Sequence, residues 1–222
     1  ISDMYARSIF VANPKSFNII DTIEIKKSNN NNFHSSEQIE IIGDKLFTNS
    51  WSYDDVILVI DTNTDKLIDS IKVLPQPRKI LTDKENKLWV LCDGGFDGSA
   101  IHGNAGILRI NPQSLEIEQT FILGSDSNPS DMQINQSKDS IYYVNNDIFR
   151  FSIYDNYLPA NEYIKSEGRN IYAIGLDPKN SDLYVADVID YMQSGMIYRY
   201  NSNKELIDNF TVGIIPNSFV FK

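Results

Sequence analysis

Four short polar stretches carry the residue types from which a binding face could be built. They read Ser50-Trp51-Ser52-Tyr53-Asp54-Asp55, Asp93-Gly94-Gly95-Phe96-Asp97, Asn145-Asn146-Asp147 and Asp187-Val188-Ile189-Asp190-Tyr191-Met192-Gln193. Flat rings give contact area at low rotamer cost, while amide and carboxyl groups fix orientation. Trp51, Tyr53, Asp54, Asp93, Phe96, Asn145, Asn146, Asp187, Asp190 and Tyr191 therefore suit a large, partly apolar ligand rich in hydrogen-bonding groups. Arg78 in Gln76-Pro77-Arg78 and Tyr172 in Asn170-Ile171-Tyr172 stand in a second set of connections and join them. The competing expectation is that Trp51, Tyr53 and Tyr191 only cap the edge of a core.

Covalent chemistry is not expected. His34 and His102 are the two histidines and lie in different parts of the chain, with no GxSxG, HExxH or CxxC pattern beside them. Asp93 and Asp97 flank glycines without the alternating ligands of a calcium loop, so no metal is expected there. Cys92, the one cysteine, ends the apolar run Trp89-Val90-Leu91 and reads as a buried, inert thiol that excludes an internal disulfide. The chain is thus read as a binding protein rather than an enzyme, with no required cofactor.

What must position these residues is a repeat. Lys45-Leu46-Phe47-Thr48-Asn49, Lys87-Leu88-Trp89-Val90-Leu91, Ser140-Ile141-Tyr142-Tyr143-Val144 and Asp182-Leu183-Tyr184-Val185-Ala186 are versions of one strand. Each is followed by a polar loop and a second apolar run, such as Ile57 to Asp61 or Ile197 to Asn201. A period of roughly 42 to 53 residues built from short strands predicts an all-β chain, a β-propeller of four-stranded blades. Turns rich in Asn, Asp, Gly and Pro join the strands, as antiparallel meanders require. In such a blade the d–a and b–c loops leave the same end, and these are the loops that carry the candidates. Proline at the entry to strand a, as at Pro77, Pro129 and Pro216, fixes φ where no ladder donor is lost.

The register predicts four complete units, about 35–76, 77–128, 129–170 and 171–215, in a single propeller domain over residues 1–222. Residues 1–34 supply a c–d pair, with strand c at Ile9 to Asn13, and Pro216 to Phe221 supplies a lone strand a. The chain is taken as part of a larger ring lacking N-terminal blades, the alternative being a five-bladed ring closed by joining its ends. The low-complexity stretch Lys26-Lys27-Ser28-Asn29-Asn30-Asn31-Asn32 reads as a solvated loop.

Composition fits. Hydrophobic residues make up 41% and aromatics 11% of the 222 residues, enough for a sizeable core. A net charge of -10 repels phosphate backbones and anionic lipid, so neither nucleic acid nor a membrane surface is an expected partner. No apolar run approaches the roughly 18 residues that cross a bilayer.

The kernels Leu183-Tyr184-Val185-Ala186-Asp187 and Ile141-Tyr142-Tyr143-Val144-Asn145-Asn146 resemble the YVTN-type propellers. Together with Leu88 to Gly95, Val188 to Tyr191 and Val212-Gly213-Ile214-Ile215-Pro216, they are similar to the surface-exposed, cobalamin-binding propeller lipoproteins of gut Bacteroidota. That resemblance implies a seven-bladed ring, lipid-anchored at the cell surface on the outer membrane. It implies that a corrinoid, cobalamin, is captured on the loop face and delivered to a TonB-dependent outer-membrane transporter. The alternative is a protein–protein interaction scaffold with no small-molecule ligand.

Overall fold

Short strands joined by tight turns account for nearly all regular structure. A computed structural model describes residues 1–26, 33–51, 54–124 and 127–222, and among these there is no helix. Every strand pairing is antiparallel between sequence neighbours, the meander expected of propeller blades. Two compact units hold these sheets, one of Ile1–Thr82 with Asn86–Ser125 and one of Asp83–Glu85 with Asp126–Lys222.

The first unit contains three sheets. The first is β1 (Ser2–Asp3), β2 (Ser8–Ala12) and β3 (Ile19–Glu24). The second is β4 (Ile39–Ile42), β5 (Lys45–Ser50), β6 (Val56–Asp61) and β7 (Lys66–Lys72). The third is β8 (Pro77–Thr82), β9 (Leu88–Cys92), β10 (Ala105–Ile110) and β11 (Ile117–Gly124). Burial falls across each sheet: β9 is buried throughout, while the outer strand β7 carries Lys66, Asp69 and Lys72 on an exposed edge. Charges there blunt edge-to-edge pairing. Because successive side chains point to opposite faces, the middle sheet offers one face to the first sheet and one to the third. Ile9, Ile23 and Ile25 pack against Leu58 and Ile60, whereas Phe47, Ile57 and Val59 pack against Leu88, Val90 and Leu108.

The second unit holds β12 (Asp131–Ile134), β13 (Ser140–Asn145) and β14 (Asp147–Ser152), followed by β15 (Ile171–Leu176), β16 (Leu183–Asp187), β17 (Met196–Tyr200) and β18 (Leu206–Thr211). Tyr142, Val144 and Ile148 pack against Ile174, Leu183 and Val185 to join the two sheets.

Two expected strands do not form. The unit over 129–170 has three strands instead of four: after β14 the chain makes only an Ile148–Ile164 bridge. The segment Asn156-Tyr157-Leu158-Pro159-Ala160-Asn161 has no apolar alternation and includes a residue without an amide donor, so it cannot extend the ladder. Nor is Pro216 to Phe221 a strand. There Phe219 and Phe221 lie 6.0 and 5.3 Å from the Tyr184 ring and cover that sheet's face. Gly175 makes this possible, since a Cβ at that position would stand 2.6 Å from the Phe219 ring. The low-complexity loop expected at Lys26 to Asn32 falls, beyond Lys26, outside the described residues.

A polar tie recurs between neighbouring sheets. Gln38 Oε1 accepts from the Ile80 N–H at 3.0 Å, and Asp131 Oδ2 accepts from the Ile174 N–H at 2.8 Å. Both donors and both acceptors occupy equivalent places in the repeat, so strand a of one blade is pinned to strand a of the next.

Cys92 is fully buried, and that burial, with the Asp93 carboxylate beside it, pushes the thiol well above its ordinary range. The thiolate is the reactive form. An aromatic disulfide reagent at neutral pH should therefore label Cys92 only after unfolding. Rapid stoichiometric labelling of the folded chain would contradict the burial.

Candidate functional site

In the first unit the strand ends on one side gather side chains from distant parts of the sequence. β5 ends at Ser50 and is followed by Trp51, β6 is preceded by Asp54, β8 is entered through Gln76 to Arg78, and β9 is followed by Asp93. The backbone knits these loops together: the Gln76 N–H donates to the Asp54 carbonyl at 2.8 Å, and the Asp93 N–H to the Gln76 carbonyl at 3.1 Å. Gln76 is buried and takes φ of +52°, a sparsely used backbone region for a residue other than glycine.

Trp51, Arg78 and Asp93 form one cluster. Trp51 Nε1 donates to Asp93 Oδ2 at 2.9 Å, the Arg78 guanidinium sits 5.7 Å from the indole centre, and Arg78 approaches the same Asp93 oxygen at 3.5 Å. Asp93 Oδ1 accepts from the Gly95 N–H at 2.9 Å, which turns the loop back. The indole is thus fixed at its edge by a carboxylate and at its face by a cation. Its ring is half-buried.

Asp54 organises a second cluster. Its Oδ2 accepts from Ser50 Oγ at 2.8 Å and lies 2.7 Å from His34 Nδ1, while Ser50 Oγ accepts from the Ser35 N–H at 3.1 Å. A serine nucleophile needs its hydroxyl on the imidazole, with the carboxylate behind. Here hydroxyl and imidazole both end on the carboxylate, a geometry that fixes loops and orients donors. Asn49, fully buried, adds bonds from Nδ2 to the Pro77 carbonyl at 2.8 Å and from the Gln38 N–H to its Oδ1 at 2.8 Å. Of the other candidates in this unit, Phe96 is 56% exposed on its loop, and Tyr53 lies outside the described residues.

The second unit divides its candidates between framework and surface. Buried Asp187 accepts from the Asn170 and Ile189 N–H groups at 3.0 and 2.9 Å, closing the turn. Asn145 holds Asn128 and Ser127, while Asn146 is exposed in a left-handed turn with φ of +62°. Asp190 caps the next turn through the Gln193 and Met192 N–H groups, which hold its carboxyl below the ordinary range. Tyr172 and the exposed Tyr191 meet edge-on at 5.9 Å, at the same end of β15 and β16. So the aromatic surface survives here as a tyrosine pair, and the carboxylates mostly shape the loops beneath it.

Sequence reading passed over His34, Ser50, Asn49 and Gln76 as site components. A faint signal existed: Asn49 and Ser50 are polar residues finishing a strand whose counterparts in the third sheet are Leu91 and Cys92. Among the described residues, no group of three or more His, Cys, Asp and Glu side chains is arranged to hold a metal. No helix there is long and apolar enough to cross a membrane.

No family model matches this chain, and no curated protein does. Solved structures do. A quinonprotein alcohol dehydrogenase-like protein from Bacteroides thetaiotaomicron superposes with a TM-score of 0.69 at 17% identity, over 93% of this chain and 51% of that one. Hydrazine synthase from Kuenenia stuttgartiensis gives 0.64 at 18% identity, over 91% and 61%. A functionally unknown protein from Desulfotomaculum acetoxidans gives 0.69 at 15% identity, over 98% and 66%. The chain thus spans between half and two thirds of these neighbours' lengths. They are β-propeller-like, and the likeness shows the fold: this chain is a partial β-propeller.

Proposed function

We propose that this chain is a non-enzymatic capture protein that binds a corrinoid on the b–c and d–a loop ends of its blades. The observation that supports this most is the indole of Trp51, held by Asp93 and Arg78 before any ligand arrives. Preorganisation of this kind removes the ordering cost of binding. A corrinoid offers a broad apolar macrocycle for such rings and peripheral amides for Asp and Asn side chains, and its modest net charge is compatible with a chain of net charge -10. The resemblance to surface-exposed cobalamin-binding lipoproteins points to the same ligand. In this proposal the full-length protein is lipid-anchored on the outer membrane and hands its cargo to a TonB-dependent transporter.

A second reading, a scaffold for a protein partner, draws on the exposed Met192, Tyr191 and Ile189 at 80, 46 and 38%. Calorimetric titration with cyanocobalamin separates the two. Saturable heat and co-elution of the red ligand with the protein are expected. Neither signal at high micromolar ligand would remove the corrinoid proposal and leave the scaffold.

A further inference from the structure

The irregular three-stranded sheet of the second unit opens a pocket at the opposite ends of its strands, away from the b–c and d–a loops. Its volume is about 210 Å³, below the ~300 Å³ at which pockets for drug-sized ligands begin, which restricts it to a ligand of about one ring. It is lined from both sheets of the unit, by Asn135, Tyr142, Arg150 and Tyr163 on one side and by Asp177 and Ser181 on the other. Its existence follows from the missing fourth strand. Tyr142 and Arg150 are cross-strand partners on β13 and β14, and the unpaired segment that leads up to the Ile148–Ile164 bridge brings Tyr163 against them.

The chemistry of this lining is specific. The Tyr142 and Tyr163 rings meet edge-on at 5.3 Å, and the Arg150 guanidinium lies 5.4 and 5.8 Å from their centres. One guanidinium nitrogen donates to Ser140 Oγ at 3.3 Å. Lys204 Nζ stands 4.7 Å from the Tyr163 ring centre, so two cations attend these rings in a protein whose net charge is -10. Burial and the neighbouring Tyr163 push the Tyr142 phenol up to about 12, which keeps its proton available for donation. Tyrosine rings suit the C–H faces of a saturated ring, Asn135, Asp177 and Ser181 suit its hydroxyls, and a guanidinium suits a carboxylate.

We propose that this pocket binds a carboxylated monosaccharide, a hexuronate. Protein-observed NMR titration of the 222-residue chain with D-glucuronate, D-glucose and cyclohexanecarboxylate tests it. Expected are saturable shifts confined to amides around Asn135, Tyr142, Arg150, Tyr163 and Asp177, with glucuronate at least about tenfold tighter than either comparison ligand, about 1.4 kcal/mol. Arg150→Gln should bring glucuronate down to the level of glucose in a chain that still unfolds cooperatively. Should that variant fold poorly, Ser202→Leu on the exposed pocket rim is the deciding change and should abolish the shifts. Equal affinity for glucose and glucuronate, shifts located elsewhere, no shifts at all, or full binding by folded Arg150→Gln or Ser202→Leu would each overturn the proposal.

Discussion

Replacing Trp89 by alanine is expected to lower the unfolding free energy by about 3–5 kcal/mol, the range for truncating a large buried aromatic. Trp89 is fully buried in the middle of β9, opposite Leu81 on one neighbouring strand and Arg109 on the other. Its ring stacks on Phe121 with centres 6.3 Å apart and planes 10° from parallel, and the Arg109 guanidinium lies 5.8 Å from its centre. Truncation leaves a void among side chains on three strands that cannot all move inward, because their backbones are tied in one ladder. The remaining tryptophan, Trp51, reports the transition by fluorescence in urea. A lower midpoint with an unchanged slope is the expected form. Trp89→Phe should recover much of the loss by keeping a ring against Phe121. A Trp89→Ala loss below about 1 kcal/mol would mean that the ring is not a core element.

Much of this architecture could be read from the chain because the blade kernel repeats a physical requirement. Leu46, Leu88, Ile141 and Leu183 recur because strand b is covered on both faces, and turn residues recur because the meander needs short reversals. The two missing strands were harder to see. Period and length at 129–170 match the other repeats, and only the composition of Asn156 to Asn161 speaks against pairing. Pro216 to Phe221 ends in the strand-forming residues Phe219-Val220-Phe221, but its phenylalanines gain more by covering Tyr184 and filling the space that Gly175 leaves. Within the candidate site, Trp51, Asp54, Arg78 and Asp93 could be nominated from loop position alone. Their pairing could not. That Asp93 faces Trp51 depends on a separation of 42 residues, close to one repeat, which places the same loop of adjacent blades side by side. His34 and Gln76 stayed hidden because their roles follow from backbone path, with Gln76 turning through a positive φ between the backbones of Asp54 and Asp93.

Within that cluster, substitution of Trp51 and of Asp93 should have opposite balances of effect. Trp51 is half-buried at a loop end and held from two directions, so Trp51→Ala removes contact area presented to solvent. Corrinoid affinity should fall by about 30-fold or more, the scale of an aromatic hot spot, with roughly 1 kcal/mol or less of stability lost. Asp93 is different. Its side chain is 6% exposed and accepts from the Trp51 indole and the Gly95 amide while facing Arg78, whose side chain is 19% exposed. Asp93→Ala takes the acceptor from two donors and removes the carboxylate that faces a guanidinium, so stability should fall by about 2–3 kcal/mol, less than for a fully buried pair because Arg78 keeps some water. Binding should fall as well, since the indole loses its anchor. Paired thermal melts and calorimetric titrations of both variants measure the two quantities on one sample. Equal loss of affinity and stability in Trp51→Ala would make the indole a cap on the core edge. An Asp93→Ala protein with wild-type stability would show that the loops are held by their backbone bonds through Gln76 rather than by this carboxylate.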